Sequence, residues 1–119
     1  RVRKILGGAM RQSGYLAAAA IYALDNNRDR LAIDHDRAKQ LGAVLGELPF
    51  VKNVAPVDTN IVIFELDERK MTTDSFLTML KEKNIHIIDM GSGTLRIVTH
   101  LDYTDTMHEY TINTLKALA

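Results

Sequence analysis

The chain has 119 residues, one domain's worth or a piece of a larger one, and is 46% hydrophobic and 25% charged, the profile of an ordinary folded protein rather than a disordered one. Fifteen Lys+Arg balance fifteen Asp+Glu, which excludes the clustered positive charge that electrostatic nucleic-acid binding needs. The absence of cysteine excludes disulfides and thiolate chemistry and is compatible with a reducing cytoplasm, and no apolar run approaches the roughly 20 residues of a bilayer-spanning helix.

In chain order, Arg1, Arg3 and Lys4 form a short basic run before Gly7 and Gly8, which break whatever precedes them. A helix is predicted from about Ala9 or Met10 to Asp25, where Asp-Asn-Asn supplies a polar stop. Its Ala17–Ala20 run favours helix and close packing, and an almost wholly apolar helix belongs inside a larger body. A second helix follows, roughly Arg28 to Glu47. Leu31, Ala38, Leu41, Leu45 and Leu48 form its apolar stripe, and Arg28, Arg30, Asp34, Asp36, Arg37 and Lys39 its wet side.

Beyond Pro49 the pattern changes to strands. Residues 50–56 read as an edge strand and 60–66, Asn-Ile-Val-Ile-Phe-Glu-Leu, as a β-branched strand. Residues 72–83 read as a helix with Phe76, Leu77 and Leu80 on one face. Residues 84–90 and 94–100 read as strands joined by a Gly91-Ser92-Gly93 turn. The chain closes on a helix in which Thr106 and Glu109 have capping-box spacing and Met107, Tyr110, Ile112 and Leu115 form the expected buried side. The predicted class is α+β: two helices, then a small, mostly antiparallel sheet with helices packed on one face.

Catalytic motifs are scarce. His35, His86, His100 and His108 lack metal-ligand spacing, so a zinc site is not expected. There is no nucleophile elbow, and neither glycine motif extends to a phosphate-binding fingerprint. Gly7-Gly8 either prepares an anion site at a helix N-terminus or makes a tight bend for close helix packing. Arg96 shares one face of its strand with Val98 and His100, opposite Leu95, Ile97 and Thr99. It either grips a carboxylate through two parallel hydrogen bonds or lies on a solvated face or in a structural ion pair. All seven lysines sit among polar neighbours, unlike the partly desolvated lysine that forms an imine.

The stretch Arg-Lys-Ile-Leu-Gly-Gly-Ala-Met-Arg-Gln-Ser-Gly-Tyr-Leu (3–16) with its alanine-rich continuation resembles the segment after the cofactor lysine in threonine aldolases, pyridoxal-phosphate enzymes of the aspartate-aminotransferase fold type. Asp-Thr-Asn-Ile-Val-Ile-Phe-Glu-Leu (58–66) and Leu-Arg-Ile-Val-Thr-His-Leu-Asp (95–102) are similar to that family's C-terminal domain, in the same order. Ala9 departs from the family, which usually has a third glycine there. The resemblance implies the C-terminal portion of such an enzyme. Residues 1–27 would connect from an upstream cofactor-binding domain, and 28–119 would form the small α+β domain.

The implied reaction cleaves L-threonine or L-allo-threonine to glycine and acetaldehyde with pyridoxal 5′-phosphate. By the same resemblance, Arg96 binds the substrate's α-carboxylate. Lys4, Gly7, Gly8 and Arg11 line the cofactor region or a neighbouring subunit's active site. The catalytic groups lie upstream of Arg1, and a cytoplasmic homotetramer built of two dimers is expected. Two alternatives remain at this level. One is another enzyme of the same fold type, a β-eliminating lyase or an aminotransferase. The other is a non-enzymatic α+β module that binds a partner through its first long helix.

Overall fold

The computed structural model describes residues 1–8 and 10–119; Ala9, with its departure from the glycine pattern, lies outside the described residues. The chain divides into two compact units, Arg1–Leu31 and Ala32–Ala119.

The first unit holds a short helix α1 (Val2–Ile5) and a long helix α2 (Ser13–Asn27). The sequence reading missed α1. Its closure explains the glycine pair: Gly7 N–H donates to the Lys4 carbonyl at 3.2 Å and Gly8 N–H to the Arg3 carbonyl at 2.7 Å. Gly7 has φ of +80°, and a Cβ on Gly8 would lie 2.9 Å from the Arg3 carbonyl oxygen, so a bare backbone is required at both positions. Helix α2 starts at Ser13 rather than near Met10 because Gln12 has φ of 51°, a left-handed conformation that a right-handed helix cannot absorb. It continues past Asp25 to Asn27, with Asn26 Nδ2 donating back to the Tyr22 carbonyl at 2.9 Å. None of its residues is buried; Tyr15, Leu16, Ile21, Tyr22 and Leu24 are all exposed.

The second unit is built on α3 (Leu31–Glu47), β1 (Val51–Val54), β2 (Ile61–Leu66), α4 (Thr73–Glu82), β3 (Ile88–Gly91), β4 (Thr94–Val98) and α5 (Asp105–Lys116). Its four strands form one sheet in the order β1-β2-β4-β3, with every pairing antiparallel. Val62, Phe64 and Leu66 of β2 and Leu95 of β4 point into one core. There they meet Ala38, Leu41 and Leu45 of α3, Phe76 and Leu80 of α4, and Leu115 of α5. Phe76 is the hub, with its ring 5.6 Å from that of Phe50 and edge-on to Phe64 at 6.1 Å. The helices thus share the inner face of the α+β sheet, as the alternation along β2 and β4 demands.

Helix α3 keeps its expected stripe except at Leu31, which is exposed. Its expected wet side needs a larger correction. Asp34 is buried, and the Arg37 side chain is only 11% exposed, because its guanidinium donates to the Tyr103 carbonyl and pairs with Asp105. Pro49 stops the helix as predicted, two residues after Glu47.

Turn chemistry sets the strand limits. Helix α4 starts at the Thr72 cap and closes with Asn84 in the left-handed region at φ 57°. Ile85 N–H then bonds the Leu80 carbonyl, and Asn84 N–H the Lys81 carbonyl, both at 2.9 Å. This Schellman closure uses the residues predicted to open β3, so pairing starts only at Ile88. The β3–β4 hairpin turns on Ser92 and Gly93, with φ of 54° and 75°, the double left-handed geometry of a tight two-residue turn.

The cap of α5 is Thr104, whose hydroxyl accepts from Met107 N–H at 3.3 Å, rather than the Thr106–Glu109 pair. The buried face also differs from the expected one: His108, Thr111 and Leu115 turn inward and Ile112 is half-buried, while Met107 and Tyr110 are exposed.

Candidate functional site: a groove beside Arg96

Arg96 sits on an interior strand, opposite Ile63 of β2 on one side and Ile88 of β3 on the other. The predicted alternation holds. Leu95 and Thr99 are buried, whereas Val98 and His100 are exposed on the Arg96 side. The end of the strand is tied down where β4 finishes. Thr99 Oγ1 donates to the Asp34 carbonyl at 2.7 Å, Thr99 N–H to the Asn60 carbonyl at 3.0 Å, and Asn60 Nδ2 to the Thr99 carbonyl at 2.7 Å.

Beyond Val98 the chain at 84–87 no longer pairs with β4 and leaves a groove of about 420 Å³. Ile88 and residues 96–99 line it from the sheet, so both faces of β4 contribute, and Tyr103, Met107 and Tyr110 line it from the α5 side. The Arg96 Nε is buried and meets no hydrogen-bond acceptor among the described residues, and no ion pair of Arg96 is found there. The structural ion-pair alternative therefore finds no partner. A half-buried guanidinium with an unspent donor, on a strand fixed from both sides, is suited to an anionic ligand that accepts two hydrogen bonds.

The wall of the groove opposite the sheet rests on a polar cluster that sequence reading missed. His108 is buried on α5. Its Nε2 lies 3.0 Å from Gln40 Oε1 of α3, and its Nδ1 lies 3.4 Å from the Tyr103 hydroxyl. Gln40 Oε1 accepts from Nε2–H, while Nδ1 and the Tyr103 hydroxyl, each able to donate or accept, share the second contact. The two rings meet edge-on at 5.7 Å, and the Arg37 guanidinium stands 5.9 Å from the Tyr103 ring centroid. Burial, then the Arg37 charge, lowers the His108 pKa from its ordinary value, against the weaker pull of Asp105 and Glu109. Burial raises that of Tyr103, opposed by its bond to Thr111 and by Arg37. The one signal in the sequence was spacing: His108 and Thr111 lie seven and four residues before Leu115, on the same helical face.

The remaining sequence candidates lie in the first unit. Lys4, Gly7, Gly8 and Arg11 are exposed, and the side chains of Lys4 and Arg11 form no hydrogen bond or ion pair with the described residues. The glycine pair closes α1 and does not open α2, so the helix N-terminus expected directly behind it stands at Ser13. Among the described residues no group of three or more His, Asp or Glu is placed to hold a metal ion. No described helix is long and apolar enough to cross a membrane.

Comparison with known proteins adds to this geometry. The beta-eliminating lyase family model matches residues 1–69. Low-specificity L-threonine aldolase 1 of Arabidopsis thaliana is 38% identical over 94% of this chain and 32% of its own length. The low specificity L-threonine aldolase of Escherichia coli K12 is 42% identical over 86% of this chain and 29% of its own. This chain thus spans about a third of the length of the relatives it matches. Among solved structures, an ornithine aminotransferase from Toxoplasma gondii superimposes with a TM-score of 0.57 at 23% identity, covering 76% of this chain and 23% of that one. A histidinol-phosphate aminotransferase from Clostridium acetobutylicum does so with a TM-score of 0.55 at 17% identity, covering 70% and 25%. These likenesses show a shared fold.

Proposed function

Because the chain belongs to the beta-eliminating lyase family, we propose that it is the C-terminal part of a pyridoxal-phosphate-dependent threonine aldolase, which cleaves L-threonine or L-allo-threonine to glycine and acetaldehyde. The observation that carries this reading is Arg96 in the lining of the groove, with its Nε buried and without an acceptor among the described residues, a guanidinium matched to an amino acid's α-carboxylate. Clamping the carboxylate orients the α-carbon and so selects which of its bonds reacts.

The residues present fit one part of the cofactor chemistry. The side chains of Lys4 and Arg11 are cations without partners among the described residues, flanking a bend where backbone must pass within contact of backbone, a donor set compatible with a phosphate or a neighbouring subunit's substrate. Every lysine is exposed, so none has the desolvated surroundings of an imine-forming amine, and that group is assigned to a segment outside these 119 residues. When bound, pyridoxal phosphate supplies the electron sink for the bond broken at the substrate's α-carbon.

In this reading residues 1–27 connect to the cofactor-binding domain and 28–119 are the small domain. The exposure of Tyr15, Leu16, Ile21, Tyr22 and Leu24 supports a helix made to pack against further protein. The same exposure disfavours a self-standing interaction module with α2 in its own core. The enzyme is read as a cytoplasmic homotetramer, a dimer of dimers, with no nucleic-acid or membrane partner. The family description keeps β-elimination as a second reading. A substrate panel on the full-length enzyme separates them: acetaldehyde and glycine from threonine are expected, and pyruvate release from serine or amino transfer to a keto acid without threonine cleavage would overturn the assignment.

A further inference from the structure

A guanidinium that waits for a ligand's carboxylate has to be kept from the carboxylates of its own chain. Among the described strand residues two bear that group, Glu65 on β2 and Asp89 on β3. Asp89 is opposite the buried Leu95 rather than Arg96, and its Oδ1 accepts from Gly91 N–H at 2.7 Å. Glu65 is the near one. It stands opposite Thr94 while Arg96 stands opposite Ile63, so the two are diagonal neighbours on the outer face of the sheet. Such neighbours are about 7–8 Å apart, within reach of long side chains. Yet the Glu65 carboxylate is engaged on its other flank, where Lys52 Nζ donates to Oε2 at 3.2 Å.

An irregularity in β1 accompanies that contact. The register runs Val51–Leu66 and then Asn53–Glu65, which leaves Lys52 as an extra residue in the edge strand, a bulge beside Glu65. We propose that Lys52 is a positioning residue for amino-acid binding: by holding Glu65 toward β1, it keeps the chain's own carboxylate off Arg96 and leaves the guanidinium open to the substrate. The proposal rests on the reading of Arg96 as the carboxylate anchor.

The competition follows from the donors present. Lys52 and Arg96 are the two cations among the described strand residues, and Arg96 has no acceptor there. Once Lys52 is removed, Glu65 has one cation left within reach. A tethered carboxylate acts at an effective concentration on the order of millimolar, against a free ligand that must be supplied from solution. An exposed ion pair closes with an equilibrium constant of about 1–5, so a released Glu65 lowers apparent glycine affinity about two- to sixfold.

The test measures glycine affinity of the full-length holoenzyme by calorimetry, with thermal unfolding recorded for each variant. Lys52→Ala is expected to weaken glycine binding about two- to sixfold. Lys52→Arg, which can still hold Glu65, is expected to bind as the wild type does. So is the double variant Lys52→Ala with Glu65→Gln, which has no carboxylate to release. That double variant also lacks the Lys52–Glu65 bond, so any stability the bond contributes stays lost while the affinity returns; a merely structural lysine would show no such return. Glu65→Gln alone is expected to leave affinity unchanged. Full affinity in Lys52→Ala, or a loss that persists in the double variant, overturns the proposal. Tightening in Glu65→Gln as large as the loss in Lys52→Ala would mark simple addition of charges and overturns it as well. Arg96→Ala is the control. Loss of glycine binding there with none in Lys52→Ala refutes the positioning role and leaves the anchor standing, whereas no loss in Arg96→Ala refutes both.

Discussion

Replacing Arg96 with alanine separates ligand binding from folding more sharply than any other change in this chain. A charge-assisted hydrogen bond contributes about 1.5–3 kcal/mol, and a carboxylate held by two of them loses about 3 kcal/mol or more with the guanidinium. That corresponds to a glycine dissociation constant on the order of a hundredfold higher. The effect on the fold is the sum of two smaller terms of opposite sign. The buried Nε has no acceptor among the described residues, and removing an unsatisfied buried donor relieves about 1–3 kcal/mol. Against that stands the lost packing of the aliphatic stem on Ile63 and Ile88, about 0.2–1 kcal/mol for each cross-strand pair. Stability should then fall by no more than about 1 kcal/mol or rise by up to about 3 kcal/mol, with cofactor affinity unaltered. Titrating the full-length variant with glycine and recording its thermal unfolding reads both quantities. Unchanged glycine affinity together with a loss of several kcal/mol in stability would show that Arg96 is a structural residue and refute the reasoning.

Other outcomes follow from the same structure. Because the folded-state pKa of His108 lies below its ordinary 6.5, the unfolded chain binds the proton more readily. The resulting stability is complete above that value, declines as the pH falls through it, and stops declining below the folded pKa. Urea unfolding of the full-length protein between about pH 8 and pH 5 should show this decline in the wild type and lose its His108 component in His108→Gln. Phe76→Ala empties the space between Phe50 and Phe64 and should cost about 3–5 kcal/mol, read as a lower urea midpoint; a cost under about 1 kcal/mol would contradict its place as hub. Thr104→Ala should cost about 1 kcal/mol through the lost cap, whereas Thr106→Ala should cost much less; equal costs would restore the capping box read from sequence.

Periodicity carried the sheet and the helical core, because burial on one face leaves its mark at every second or every third and fourth residue. Val62, Phe64, Leu66 and Leu95, with Leu41, Leu45, Phe76 and Leu80, are buried where those periods put them. Boundaries failed where one residue's backbone decided them: Gln12 delayed α2, Asn84 consumed the expected start of β3, and Thr104 displaced the α5 cap. The outward aim of Arg96 was legible from alternation alone. Its missing acceptor was not, since that depends on what lies across the sheet. The Arg37–Tyr103–His108–Gln40 cluster was invisible for a similar reason. Its members are polar, come from two distant stretches, 37–40 and 103–108, and meet only through tertiary packing, so Arg37 read as part of a wet helix side and the others carried no signal of their own.

The order β1-β2-β4-β3 sets a schedule for synthesis as well as a shape. Strand β2 leaves the ribosome well before β4, the strand that fills its open side, and α4 and β3 emerge in between. Until residues 94–98 arrive, the β-branched run of β2 presents an unsatisfied flank to any other nascent chain. The segment bearing Arg96 therefore completes the sheet during biogenesis, and slowing translation just before it should raise misassembly more than a pause placed after it.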